Sequence, residues 1–250
     1  MSLTSELCFI FAVMSMRLNK YVAHAGICSR RKAVDLVKNG EVSVNGKVET
    51  NPAYEIKKGD QVQYNGKDIR IERHKVYILM NKPKNTLTTV TDDRGRRTVM
   101  DIINNKVKER IYPVGRLDRN STGLLLLTND GDLAKKLSHP SHGIKKLYHV
   151  ILHKSVLPSD IDLIQRGIEL DDGTATVDKI NYVEGAPKAE VMIELHSGKN
   201  RIIRRIFEHL EYTVERLDRI YYGGLTKKDL PRGWFRPLEK QEIIMLKHFM

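Results

Sequence analysis

Along residues 17–25 (RLNKYVAHA), Leu18, Tyr21, Val22 and Ala25 recur at helical spacing until Gly26 interrupts them, which predicts a short amphipathic helix. Ser29 then precedes a stripe of Ala33, Leu36 and Val37 with Gly40 beyond it. A Ser at the N-cap and a Gly past the last turn predict a second helix. From Glu41 the period becomes alternating, with Val42, Val44 and Val48 set among polar residues around Asn45-Gly46, and residues 60–67 (DQVQYNGK) repeat the arrangement. Asn-Gly between alternating runs predicts tight hairpins, because both turn residues must take positive φ. Two helices followed by short strands make a first small domain over residues 16–74.

After a charged linker at 70–75 (RIERHK), residues 76–80 (VYILM) predict a buried strand ending at Asn81-Lys82-Pro83-Lys84. A polar, turn-rich stretch follows at 92–98, and Ile111-Tyr112-Pro113-Val114 leads into residues 115–140 (GRLDRNSTGLLLLTNDGDLAKKLSHP). There the unbroken run of leucines at 124–127 predicts a central strand covered on both faces, and the polar residues 118–123 a loop. Residues 190–195 (EVMIEL) and 241–246 (QEIIML) also predict strands. Between them a helix over 200–210 is predicted, capped by Asn200, with Ile203, Ile206, Phe207 and Leu210 inward and Arg201, Arg205 and Glu208 outside. Trp234, in the turn-rich stretch 230–238, is expected to pack. Residues 75–250 thus form a second domain. The apolar run 8–14 (CFIFAVM) is too short to cross a membrane and lacks the basic flank of a secretory signal, so residues 1–15 are expected to be an unstructured extension or a mis-assigned start.

Charge adds a partner to this picture. Lys and Arg number 43 against 31 Asp and Glu, for a net charge of +12, an excess that favours a polyanion such as nucleic acid. Arg30, Arg31 and Lys32 crowd the start of the second helix, where positive charge opposes the helix dipole and a phosphate would relieve it. Lys82, Lys84, Arg94, Arg96 and Arg97 are further candidates for phosphate contact, although each taken singly is expected to be a solvated charge. The two cysteines, Cys8 and Cys28, fit no zinc spacing and no disulfide framework, in keeping with a reducing cytoplasm. His139 and His142 lack companion ligands at metal spacing and are expected at the surface. No glycine-rich phosphate or dinucleotide loop is present; no metal or cofactor is expected, and an RNA methyltransferase would need such a loop. Asp118, in a loop between strand-like runs and flanked by Arg116 and Arg119, fits either a capped turn, the commoner role for such a residue, or a functional acid.

Two resemblances bear on that choice. Residues 17–65, with a helix pair opening on Ser-Arg-Arg and a V-x-V-N-G strand, resemble the S-four-like RNA-binding domain. The string G-R-L-D-x-x-(S/T)-(S/T)-G-L-L-L-L-T-N-D-G resembles the signature of pseudouridine synthases that modify ribosomal RNA. Residues 146–150 (KLYHV) resemble that family's second motif, K-x-Y-x-V, and residues 197–205 (SGKNRIIRR) its third. The resemblance implies an α+β fold: a small N-terminal RNA-binding domain, then a catalytic domain on a mixed, mainly antiparallel sheet with flanking helices. It implies that Asp118 is catalytic and that Arg116, Tyr148, Ile203 and Arg204 bind substrate, with Arg30, Arg31 and Lys32 binding RNA. Arg201-Ile202 stands where the family most often has His-Gln, which bears on subfamily, and the Asn-Arg-x-x-Arg-Arg form leans toward members acting on large-subunit RNA. Arg204, bordering a buried stripe, needs an anionic partner, and Asp118 is the natural one. The expected protein is a cytoplasmic monomer, not bound to membranes, whose partner is ribosomal RNA. A non-catalytic ribosome assembly factor is the competing reading, and the intact Asp118, Tyr148 and Arg204 argue against it.

Overall fold

The computed structural model describes residues 16–104 and 106–248. Residues 1–15, expected to be an extension or a mis-assigned start, lie outside the described residues. The chain divides into two compact units between Lys75 and Val76.

The first unit runs β1 (Met16–Arg17), α1 (Leu18–His24), α2 (Arg30–Lys38), β2 (Val42–Val44), β3 (Lys47–Val48), β4 (Glu55–Ile56), β5 (Val62–Tyr64) and β6 (Lys67–Asp68). As the pattern predicted, the Ser29 hydroxyl accepts the Lys32 amide at 3.2 Å and caps α2. Asn45-Gly46 and Asn65-Gly66 all take positive φ and close two hairpins of a four-stranded sheet ordered β3-β2-β5-β6. Leu18, Val22, Ala33, Leu36 and Val37 of the helices bury against Val42, Val44 and Val62 of this sheet.

The second unit begins with β7 (Tyr77–Lys82), α3 (Val99–Ile103), β8 (Tyr112–Val114), β9 (Thr122–Thr128), α4 (Gly131–Ser138) and β10 (Lys146–Leu152). It continues through α5 (Pro158–Arg166), β11 (Ile168–Leu170), β12 (Gly173–Ala175), β13 (Lys179–Tyr182), β14 (Glu190–Leu195), α6 (Ile202–His209), β15 (Val214–Tyr222), β16 (Leu225–Thr226), β17 (Phe235–Pro237) and α7 (Lys240–His248). A nine-stranded sheet is ordered β13-β14-β10-β15-β9-β7-β17, with β16 on β15 and β8 on β9. Its described pairs are antiparallel except β9 with β15, so the sheet is mixed and mainly antiparallel. The leucine run is continuous because both faces are covered: Leu125 and Leu127 join one core with Ile203, Ile206 and Phe207 of α6, while Leu124 and Leu126 join the other with Leu133 and Leu137 of α4 and Leu246 of α7.

The parallel seam explains a glycine. Thr122 and Gly123 pair with Asp218 and Arg219, and Gly123, at φ +107°, lies so close that any Cβ would collide with the backbone of Arg219. Across the seam Asp218 accepts from Thr122 at 2.8 Å, from both terminal nitrogens of Arg232 at 2.8 and 2.9 Å, and from Lys227 at 2.5 Å. Burial pushes the Asp218 carboxyl up, but these donors outweigh it and hold the group far below the usual carboxylate range.

Two expectations for the C-terminal segment are overturned. Residues 241–246, predicted as a strand, belong to α7. Glu242 accepts the Glu239 amide at 2.9 Å and pairs with Arg236, capping a helix. Only Leu246 of the run is fully buried, and Ile244 stays 49% exposed, which suits the single apolar face of a surface helix. Trp234 does not pack: it is 66% exposed, because the fold uses its backbone, whose carbonyl accepts the Asn81 amide at 3.0 Å.

Candidate active site

The segment between β8 and β9 forms a loop anchored at Leu117, whose carbonyl accepts from the Thr88 hydroxyl at 2.7 Å. The next residue, Asp118, closes a turn through its main chain, its carbonyl accepting the Ser121 amide at 3.1 Å. No described residue donates a hydrogen bond to its carboxylate, which is 39% exposed and lies 3.8 Å from both Arg204 Nε and Arg201 Nη1. A capping aspartate would spend its oxygens on backbone amides; this one faces two guanidinium groups instead.

Arg204 sits on α6 with its side chain 11% exposed, and its Nη1 donates to the Val214 carbonyl at 3.0 Å. Burial and neighbouring Arg201 pull its pKa below the usual value, with Asp118 opposing them. Arg201, placed outside the helix stripe by its spacing, instead stands at the helix N-cap in a left-handed conformation (φ 50°, ψ 28°), which carries its guanidinium to Asp118. The cap is therefore Arg201 rather than Asn200.

Arg116, Asp118, Tyr148 and Ile203 line one cavity of about 400 Å³, a size suited to a small ligand or one nucleotide. Tyr148 on β10 and Ile203 on α6 are both buried, at 9% and 3% exposure, whereas Arg116 is exposed. Arg30, Arg31 and Lys32 lie in the first unit, all three exposed at the start of α2.

Under the Asp118 loop sits Lys82, which was expected at the surface and is completely buried. Its ammonium donates to the carbonyls of Ser121, Pro83 and Arg119 at 2.7, 3.0 and 3.3 Å. Burial pushes its pKa down to about 8, with Asp118 raising it and Arg232 and Arg219 lowering it. A lysine beside a proline after an apolar run looks solvated in sequence, and nothing short of the structure reveals the three carbonyls waiting for it. Arg96, also weighed as a phosphate contact, is taken up by Asp92 at 2.7 Å.

His139 and His142 are exposed. Among the described residues no group of three or more His, Cys, Asp or Glu side chains is placed to hold a metal ion. No described helix is long and apolar enough to cross a membrane.

Comparison with known proteins identifies the family and the fold. The family described as RNA pseudouridylate synthase matches residues 76–209, and the S4 domain matches residues 16–62. The chain is 40% identical over 236 residues to the ribosomal large subunit pseudouridine synthase B of Bacillus subtilis (strain 168), covering 92% of this chain and 95% of that one. It is 36% identical over 242 residues to an uncharacterized RNA pseudouridine synthase of Aquifex aeolicus (strain VF5), covering 94% of each. A crystal structure of a pseudouridylate synthase, 24% identical, matches with a TM-score of 0.67 over 93% of this chain and 100% of the other, and so shares the fold. The chain therefore belongs to the RNA pseudouridylate synthase family, an RNA pseudouridine synthase that carries an N-terminal S4 domain.

Proposed function

We propose that the chain isomerises one specific uridine of ribosomal RNA, that of the large subunit, to pseudouridine. The reading rests on one observation: among the residues lining the cavity, Asp118 is the sole carboxylate, and it is held 3.8 Å from two guanidinium groups with none of its oxygens spent on a hydrogen bond. The large-subunit assignment draws on the similarity to a protein named as a large-subunit enzyme and on the Asn-Arg-x-x-Arg-Arg form of residues 200–205.

The reaction breaks the C1′–N1 bond and forms a C1′–C5 bond, with no redox change and no need for a cofactor. An ionised carboxylate serves it either by attacking the sugar or by removing a proton from it. Arg204 and Arg201 face the Asp118 carboxylate and can answer charge on it, while Tyr148 offers a ring against uracil and a hydroxyl for the C5 proton. Ile203 lines the base pocket. The target base must leave its stack, at a cost of a few kcal/mol, and Arg116, exposed at the cavity wall, fills the vacated space. Residues 16–74 grip the RNA through Arg30, Arg31 and Lys32, and residues 75–250 carry the chemistry, acting in the cytoplasm as a monomer.

The test is tritium release from 5-tritiated uridine in ribosomal RNA. Wild type is expected to release it and Asp118→Asn to release none. A wild type inactive on every ribosomal RNA, or an Asp118→Asn variant as active as wild type, refutes the proposal.

A further inference from the structure

The two ends of the cavity differ in how their charges are answered. At the α6 end Asp118 faces Arg201 and Arg204. At the sheet end, where β10 lies beside β15, two further cations line the cavity, Lys146 and Arg219. Among the described residues neither makes an ion pair. Arg219 is 2% exposed; its Nε donates to the Leu124 carbonyl at 2.7 Å and its guanidinium lies 4.8 Å from the ring centre of Tyr222. Its Nη2 is buried with no hydrogen-bond partner. Lys146 donates to the carbonyls of His196 and Ser197 at 2.8 and 3.3 Å, leaving one N–H of its ammonium uncommitted. Burial and the charge of Arg219 push its pKa down to about 8, with the more distant charge of Asp178, itself bound to His196, opposing them.

Buried charges in folded proteins are paired, because an unpaired one is costly and two like charges side by side are costlier. Arg219 breaks that rule, with the half-buried Lys146 close to it, at the wall of an open cavity beside Tyr148, the cross-strand neighbour of Arg219. Such a pair lacks an anion, and the ligand can supply it. We propose that Lys146 binds a backbone phosphate of the extruded nucleotide, with the charge of Arg219 behind it, so that this end of the cavity is a phosphate subsite. The proposal rests on the reading that the cavity receives a nucleotide of RNA. It gives the cavity two distinct tasks: a carboxylate for the sugar and a cation for the phosphate. Lys146 is then a substrate-binding residue, and Arg219 a positioning residue acting through it.

The experiment compares uridine, uridine 5′-monophosphate and inorganic phosphate as ligands of the full chain, by NMR titration. Wild type is expected to bind the monophosphate roughly tenfold or more tightly than uridine, the gain typical of a charge-assisted hydrogen bond, and added salt should shrink the preference. Lys146→Met should abolish the preference while leaving uridine binding unchanged, and Lys146→Arg should keep it. Lys146→Gln, which retains a donor for the carbonyls of His196 and Ser197, should behave like Lys146→Met and guards against loss of fold. Inorganic phosphate alone should bind wild type and compete with the monophosphate but not with uridine. A wild type that binds the monophosphate no better than uridine overturns the proposal, as does a preference that survives in well-folded Lys146→Met or Lys146→Gln. A chain that shows the preference yet releases no tritium from ribosomal RNA would leave the subsite standing and sink the proposed isomerisation.

Discussion

Replacing Lys82 by Met tests how the Asp118 loop is held. The ammonium is fully buried and is the donor to three main-chain carbonyls, two of them, Arg119 and Ser121, in the loop itself. Removing it strands those acceptors at about 1–3 kcal/mol each, partly offset because no charge need then be buried, for a net loss of roughly 3 kcal/mol near neutral pH. The pH dependence carries the sharper signature. The pKa of Lys82 is about 8 in the folded chain against an ordinary 10.5, so between those values the unfolded chain holds a proton that the folded one has released. Raising the pH across that window therefore favours folded wild type, by about 3 kcal/mol at about 1.4 kcal/mol per pKa unit. Lys82→Met lacks this gain. Urea unfolding of both proteins at a series of pH values should show the gap between them widening from pH 8 to pH 10.5. A gap that stays constant or narrows refutes the reasoning. Because the charge of Asp118 raises the pKa of Lys82, Asp118→Asn should move the Lys82 titration further down, which NMR of the labelled lysine would read.

Gly123→Ala should unfold the second unit or destabilise it by at least about 3 kcal/mol, since the new methyl meets the backbone of Arg219 at a positive φ; thermal melting checks it, and a melting point within a few degrees of wild type refutes the seam argument. Arg204→Lys should lose at least roughly tenfold in tritium-release rate, because Nε faces Asp118 while Nη1 holds Val214 and an ammonium cannot do both; wild-type rates would show that the fork is dispensable. Changing Arg30, Arg31 and Lys32 together to Gln should weaken RNA binding uniformly across sequences and flatten its salt dependence by about 2 in logarithmic slope, at about 0.7 per lost single-strand phosphate contact; an unaltered slope would remove these residues from the RNA interface.

Elements with local causes were legible in the sequence. The Ser29 cap, the Asn-Gly hairpins and the leucine strand follow from one residue's backbone preference or from a period, and the structure has them where the pattern put them. The α7 segment was misread because a short apolar run suits strand and helix alike, and the arbiter, the hold of Glu242 on the Glu239 amide, lies at its edge. In the candidate site, Asp118 was found through a long motif, since residue types alone favoured a capped turn. The cations around it were harder. Arg201 reaches Asp118 only because it takes a left-handed conformation before α6, Lys82 is buried by a loop 37 residues away in sequence, and Arg219 carries no local signal that its guanidinium turns inward. Charged residues are presumed solvated from sequence, and burial by distant segments decides otherwise.

The seam between β9 and β15 also dictates an order of assembly. Thr122 and Asp218, 96 residues apart, meet across it, and the clamp on Asp218 closes only with Lys227 and Arg232. A pairing of that span is slow to find, because loop entropy is lost before any contact rewards it. During synthesis the Asp118 loop emerges long before β15, so the candidate site cannot be complete until that strand has been made, although its carboxylate is encoded near the middle of the chain. Until that seam shuts, a nascent chain carries its S4 domain without a finished cavity around Asp118.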